Sequence, residues 1–211
     1  MTNGRPEKMI SGNELFCYVK RRRSIRKYIE KSVPLELVDH FLENARWAPS
    51  AHNAQPWRFF IIRKQEMKEE LAKEMAACFQ ADLIKDGVPE TTVKERARIS
   101  IDRFSQAPII ILACIDMGRM DHYPDAFREK AEEIMATQSL AAAIQNLLLS
   151  ASAMGLGACW FCAPLFCPDV VRKVVDIPGT FIPHGLITLG YPDENPSAPP
   201  RLSLDEIRKI L

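Results

Sequence analysis

The segment Pro108-Ile-Ile-Ile-Leu-Ala-Cys-Ile115 carries no charged side chain and nothing more polar than a thiol. A half-exposed strand would alternate apolar with polar residues. A short, nearly continuous apolar run bounded by Pro108 and Asp116 therefore reads as a strand buried within the protein. Downstream, Phe127 to Met154 follows a long helical pattern rich in Ala and Ser. Its polar face fades after Glu133, so its second half is expected to be central. A buried strand beside a central helix needs a layered globular domain around them. The chain has 211 residues, which suits one domain spanning 1–211. At that length roughly 70 per cent of the unfolded surface goes inside, so the core needs no staples. No repeat or low-complexity linker divides the chain.

The remaining elements follow from local patterns. Leu15 to Arg23 reads as a helix with Leu15, Phe16 and Val19 on one side. Ser32 and Pro34 open a second helix, with Ser32 as the cap and Leu37, Val38, Phe41, Leu42 and Ala45 at helical spacing. That helix ends before Pro49. Ala48 to Pro56 is a loop, and Trp57 to Ile62 is a strand. Lys64 to Gln80 and Thr91 to Phe104 read as helices around the turn Lys85-Asp86-Gly87. Asp116 to Pro124 is an irregular connection. Gly155-Leu156-Gly157 ends the long helix, and Ala158 to Cys162 is a third strand. Asp169 to Val175 is a short helix after Pro168. His184 to Tyr191 is the fourth strand. A Pro-rich tail ends in a helical turn at Leu204 to Leu211, and a tail without its own core is expected to lie against something else, often another subunit. Helices first, then strands separated by helices, fit a mixed α+β fold better than a regular βαβ alternation.

Charge and cysteine usage bound the partners. Twenty-eight Lys plus Arg against 27 Asp plus Glu leave a net charge of +1. That argues against nucleic-acid binding by bulk charge, since such domains usually show a strong basic excess. No stretch reaches ~18 uninterrupted apolar residues, so no membrane span is expected. Leu140 to Leu149 comes nearest and is broken by Gln145 and Asn146. Met1 to Ile10 carries Arg5, Glu7 and Lys8 and no apolar core, unlike a signal peptide. The six cysteines (17, 78, 114, 159, 162 and 167) sit mostly in apolar runs. They read as reduced, mostly packed thiols of a cytoplasmic protein.

Four segments could carry chemistry. Arg21-Arg22-Arg23-Ser24-Ile25-Arg26 puts several guanidiniums and a hydroxyl at a helix end, where they could hold a phosphate bidentately. A solvated basic face is the plainer reading. Ala48-Pro49-Ser50-Ala51-His52-Asn53-Ala54-Gln55-Pro56-Trp57 offers hydroxyl, amide and backbone groups to a flat polar ligand. A surface turn leading into a strand would look the same. Gly155-Leu156-Gly157 with Cys159-Trp-Phe-Cys162-Ala163-Pro164 lets the backbone approach a ligand closely. Gly190-Tyr191-Pro192 followed by Pro199-Pro200-Arg201 places one Arg in an extended, charge-poor tail.

In this order and spacing, the four segments resemble the nitroreductase family of flavin mononucleotide (FMN) oxidoreductases over Leu15 to Leu211. The resemblance implies an α+β nitroreductase-like fold with a central, mainly antiparallel sheet wrapped by helices. It also implies a domain-crossing homodimer with FMN at the interface. Arg22, Arg23, Ser24 and Arg26 would bind the phosphate, joined by Arg201. Pro49, Ser50, Asn53 and Gln55 would reach the ribityl chain and ring from the other subunit. The backbone of Cys162 and Ala163 would face flavin N5, which carries the chemistry with no side-chain nucleophile. Two departures stand out. A Lys common shortly before the tail Arg is missing, and Cys162 stands where some members place an acidic residue.

The implied activity takes electrons from NAD(P)H or a similar reductant to a nitro, quinone or conjugated small molecule. No Gly-x-Gly-x-x-Gly motif follows a strand, so no separate dinucleotide domain is expected. The region 82–128, usually the family's variable lid, looks similar to the FMN domain of the actinobacterial deazaflavin-coenzyme glutamate ligase, which reduces a dehydro precursor. On that analogy Asp82 would face substrate; otherwise it caps or solvates a helix. A non-catalytic flavin-binding sensor would keep the phosphate motif without turnover.

Cys159-x-x-Cys162 invites a metal reading. Residues three apart on a strand face opposite ways, no second ligand pair exists at metal spacing, and the four His (40, 52, 122 and 184) are scattered. No metal site is expected. His184 reads as structural. Trp57 and Trp160 read as core and pocket walls.

Overall fold

Four strands form one antiparallel sheet in the computed structural model, which describes residues 10–211. They are β1 (Trp57–Ile62), β2 (Ile109–Asp116), β3 (Gly157–Phe161) and β4 (Phe181–Gly190), in the spatial order β1-β2-β4-β3. The helices are α1 (Gly12–Arg21), α2 (Leu35–Ala45), α3 (Gln65–Lys85), α4 (Glu90–Ser105), α5 (Ala126–Ala153), α6 (Pro168–Val175) and α7 (Leu204–Ile207). The fold is the expected α+β arrangement of an antiparallel sheet wrapped by helices. Of Met1 to Ile10, read above as lacking a signal sequence, all but Ile10 lie outside the described residues.

β2 explains the apolar run that began the reading. Side chains alternate across a strand, and here both faces are covered. Ile109, Ile111, Ala113 and Ile115 join Val38 and Phe41 of α2 and Leu140, Ile144 and Leu147 of α5 in one cluster. Ile110, Leu112 and Cys114 join Leu71 and Met75 of α3, Phe104 of α4 and Val171 of α6 in another. The strand is apolar throughout because it lies between two helical layers, and its pairing is antiparallel on both sides. By length and composition α5 could cross a membrane, yet half of its most apolar window is buried within the protein. It is the core helix on which α2 and the sheet pack, as its fading polar face implied.

Several boundaries differ from the sequence reading for local reasons. α1 starts three residues earlier, at a capping box in which Ser11 Oγ accepts from Glu14 N–H and Glu14 Oε2 accepts from Ser11 N–H at 2.8 Å. It stops before Arg22, whose ψ of 134° is extended. Ser32 does not cap α2; Pro34 occupies the cap position and offers no side-chain bond. α3 continues to Lys85 and ends only where Gly87 adopts φ +76°. β4 begins at Phe181, ahead of His184, because its ladder shifts register opposite Ala113 and Cys114 and then resumes. That irregularity separates Pro183 and Gly185 in the pairing and leaves His184 between them without a partner residue.

Candidate active site

The phosphate candidates sit on an extended segment that leaves α1 and runs beside β3. Ile25 N–H donates to Ala158 O at 3.1 Å, and Ser24 bridges Ala158 in parallel. Tyr28 fixes the same segment from below: its hydroxyl donates to Ile25 O at 2.6 Å and pairs with Thr188 Oγ1 at 2.7 Å. Burial, the largest influence, pushes the Tyr28 phenol well up, so it remains a neutral donor. Glu194 accepts from the backbone N–H of Arg26 at 2.5 Å and of Lys27 at 3.2 Å.

On such a segment alternate residues share a side, which groups Arg22, Ser24 and Arg26. Burial pushes the Cys159 thiol up, while Arg26, the Ser24 hydroxyl, Arg103 and Arg22 pull it back. Arg103, on α4, stands 5.2 Å over the Phe161 ring. No sequence signal singles it out, because nothing links it to the 21–26 run except the fold. Arg23 points elsewhere. Its Nη1 donates to the carbonyls of Lys20 at 2.6 Å, Arg22 at 2.9 Å and Arg21 at 3.2 Å, closing the end of α1.

The loop before β1 is wired tightly. Ser50 Oγ accepts from Gln55 N–H at 3.1 Å, Ser50 O accepts from Asn53 N–H at 3.1 Å, and Gln55 Nε2 donates to Asn53 Oδ1 at 3.3 Å. Ala51–Asn53 forms a short 3-10 turn. His52, Asn53 and Gln55 have φ of 55°, 52° and 50°. Left-handed backbone at three non-glycine residues is unusual and is held only where the surroundings over-determine it. Those surroundings are visible. Buried Ser139 of α5 accepts from Ala51 N–H at 3.2 Å, and Arg119 donates to Ala54 O at 3.2 Å. Pro49, Asn53 and Gln55 are exposed and Ser50 half-buried, so the loop presents its polar groups outward. Ser139 carried a readable signal, being a hydroxyl on the apolar half of α5.

At the far end of β3, Cys162 and Ala163 enter a 3-10 turn over Ala163–Phe166. Cys162 is exposed, and burial of its thiol nonetheless pushes the pKa up. No cation among the described residues offsets that shift, which favours the neutral thiol. Cys159, three residues earlier, is buried. Arg201 is exposed and donates to Pro200 O at 3.1 Å; among the described residues no hydrogen bond or ion pair ties it to the Arg22–Arg26 segment. Asp82 is exposed in the last turn of α3, near enough to Cys167 for its charge to raise that thiol further after burial and Cys78 have done so.

The Arg22–Arg26 segment therefore stands at one end of β3, beside Ala158, and the turn that begins at exposed Cys162 stands at the other, with Arg103 over Phe161 near that turn and about 13 Å of strand between Ala158 and Cys162. That is comparable with the extent of FMN from phosphate to ring, and the donor set suits a dianionic phosphate.

Comparison with known proteins is consistent with this geometry. The nitroreductase family model matches residues 19–191. The chain belongs to the nitroreductase family. A Methanothermobacter thermautotrophicus protein, provisionally named NADH dehydrogenase/NAD(P)H nitroreductase, is 32% identical over 93% of this chain and 90% of its own length. The crystal structure of a BluB-like flavoprotein from Clostridium difficile 630 superposes with a TM-score of 0.77 at 25% identity, covering 94% of this chain and 99% of that one. A Desulfovibrio desulfuricans nitroreductase solved in complex with FMN superposes with a TM-score of 0.71 at 27% identity, covering 94% and 96%. This nitroreductase-family chain is accordingly an oxidoreductase, and FMN is the family's cofactor.

Proposed function

We propose that two copies of this chain form a homodimer that holds FMN at its interface and passes electrons from NAD(P)H to a nitro, quinone or conjugated small molecule. The observation that carries the reading is the docking of the Arg22–Arg26 segment on β3 through Ser24 and Ile25 at Ala158, at the start of the strand whose other end leads into exposed Cys162.

Bound FMN supplies reversible hydride and electron chemistry. The protein's share is binding and orientation. Arg22 and Arg26 offer planar forks to the phosphate, Ser24 adds a hydroxyl donor, and Arg103 adds positive potential. Arg23 positions the segment by closing the end of α1, and Arg201 would join the phosphate from the tail. The backbone at Cys162 and Ala163 would lie against the flavin ring. Pro49, Ser50, Asn53 and Gln55 of the second copy close over the ribityl chain.

Exposed apolar surface supports the dimer. Leu15, Phe16 and Val19 on α1 are 53%, 62% and 46% exposed, and Leu202, Leu204, Ile207 and Ile210 of the tail are more so. Burying such faces against a second copy removes apolar surface that a soluble monomer rarely displays. The six free thiols fit the reducing cytoplasm.

The absorption spectrum of freshly purified protein tests the cofactor assignment. Oxidised-flavin bands, with FMN released on denaturation, are expected, together with steady oxidation of NADPH or NADH when a quinone or nitro acceptor is present. A colourless protein that fails to take up added FMN overturns the reading. Flavin binding without turnover by any acceptor would instead make it a flavin sensor. Preference for a dehydro deazaflavin precursor over nitro and quinone acceptors would assign the narrower biosynthetic role.

A further inference from the structure

His52, Asp121 and Glu132 come from three separate segments: the strained turn before β1, the connection after β2 and the early part of α5. One ligand atom from each, an imidazole nitrogen and two carboxylate oxygens, lies within 4.8 Å of the others. His52 Nε2 stands 3.4 Å from Glu132 Oε1 and 3.9 Å from Asp121 Oδ2. Both distances are long for a good hydrogen bond. Two ligands bound tetrahedrally at zinc-like bond lengths sit about 3.3–3.5 Å apart, so the first separation suits ligands sharing one ion. The second needs only a small movement of Asp121, whose side chain is 63% exposed.

Glu132 supplies the independent observation. Its side chain is 3% exposed, it faces His52 through Oε1, and Oε2 has no hydrogen-bond partner among the described residues. A carboxylate removed from water and left this poorly satisfied is costly unless a cation compensates it. No Lys or Arg is paired with it among the described residues.

We propose that His52, Asp121 and Glu132 form a binding site for one divalent transition-metal ion. An imidazole with two carboxylates and no thiolate suits zinc, cobalt, manganese or iron(II). Three protein ligands leave a position for water, and the exposed sides of His52 and Asp121 give access. The ion would pin the 51–53 turn to α5 and hold Ser50 and Asn53 in place. The test does not depend on the FMN reading, because occupancy is measurable without flavin or turnover.

The test uses the full-length protein, stripped with a chelator and gel-filtered. Cobalt(II) is titrated by visible absorption and zinc by calorimetry, with stoichiometry from elemental analysis. One ion per chain is expected, with a rise in melting temperature on loading. His52→Asn is the decisive variant, because Asn tolerates the left-handed backbone at this exposed turn. It should weaken binding by more than about 100-fold, since even outer-shell partners of ligands are worth 10–100-fold. Glu132→Gln should do the same, and His184→Asn should bind like the parent. Absence of a stoichiometric ion, or binding that survives His52→Asn undiminished, overturns the proposal. If the Glu132 variant fails to fold, His52→Asn alone decides.

Discussion

A Cβ placed on Gly157 would stand 2.6 Å from the Cβ and Cγ2 of Ile25. The phosphate-candidate segment lies that close to β3 only because residue 157 has no side chain. Gly157→Ala should therefore push Ile25 away and cost about 1–3 kcal/mol of stability through overpacking. It should also weaken FMN binding, because Ser24 and Arg26 move with Ile25. Denaturant unfolding and flavin titration of the same variant check both effects. A variant of unchanged stability and affinity would show that the close approach is slack.

Arg22 and Arg26 lie near enough to Cys159 for their charges to lower its thiol pKa, whereas Arg23 folds back onto three carbonyls at the end of α1. The two kinds of arginine should separate on mutation. Arg22→Ala combined with Arg26→Ala should strip FMN and leave the fold intact. Arg23→Ala should cost about 1 kcal/mol, the scale of a lost helix-end interaction, and retain most of the flavin. Flavin content after gel filtration and the melting temperature distinguish them. Full retention of FMN by the double variant would remove the phosphate assignment.

Much of this architecture was legible because its determinants are local. Trp57 to Ile62 was bounded correctly, as Pro56 and the charged Arg63-Lys64 pair leave little else for an aromatic and β-branched run. The α5 boundaries followed from periodicity and from Gly155. Features that depend on tertiary placement were not legible. The α3 end was placed at Gln80, since the pattern alone does not show that Leu83 is buried against the rest of the fold. Ser32 reads as a cap from local residue preference, but Pro34 takes the cap position itself, with φ −59° and ψ 141°. In the site, the 21–26 run stands out in the sequence as a phosphate candidate, but the turning back of Arg23 onto the end of α1 does not. Arg103 and the His52-Asp121-Glu132 group are assembled from segments far apart in sequence, where spacing carries no signal.

Ser139 gives the loop its hold on α5. Its buried hydroxyl donates to Met135 O at 2.7 Å and accepts from Ala51 N–H at 3.2 Å. Ser139→Ala leaves the Ala51 N–H unpaired in a half-buried turn, a loss of about 1–3 kcal/mol. The strained residues beyond it lose one of their fixed points, so flavin affinity should fall with stability. Hydrogen exchange at residues 51–55 should quicken in the variant. Exchange that stays as slow as in the parent would assign the loop's order to other anchors.

His184 sets a pH limit on stability that is separate from the acid lability of carboxylates. It is buried, its Nε2 has no partner among the described residues, and burial holds its pKa below the ordinary 6.5; Glu133 raises it and Lys130 lowers it by less. Well above pH 6.5 the imidazole is neutral in both folded and unfolded chains, and nothing is lost. As pH falls through 6.5 the unfolded chain takes up the proton first, so stability declines by at most about 1.4 kcal/mol per pH unit. The decline ends below the folded-state pKa, where both states are protonated. The carboxylates held low by their partners, such as Glu129 beside Tyr123 and His122, give up their contribution only at more acidic pH. Denaturant unfolding at pH 8 and pH 5.5 should then show a larger drop for the parent than for His184→Gln, which cannot titrate. Equal drops in the two proteins would mean that His184 is hydrated or protonated without cost in the folded state.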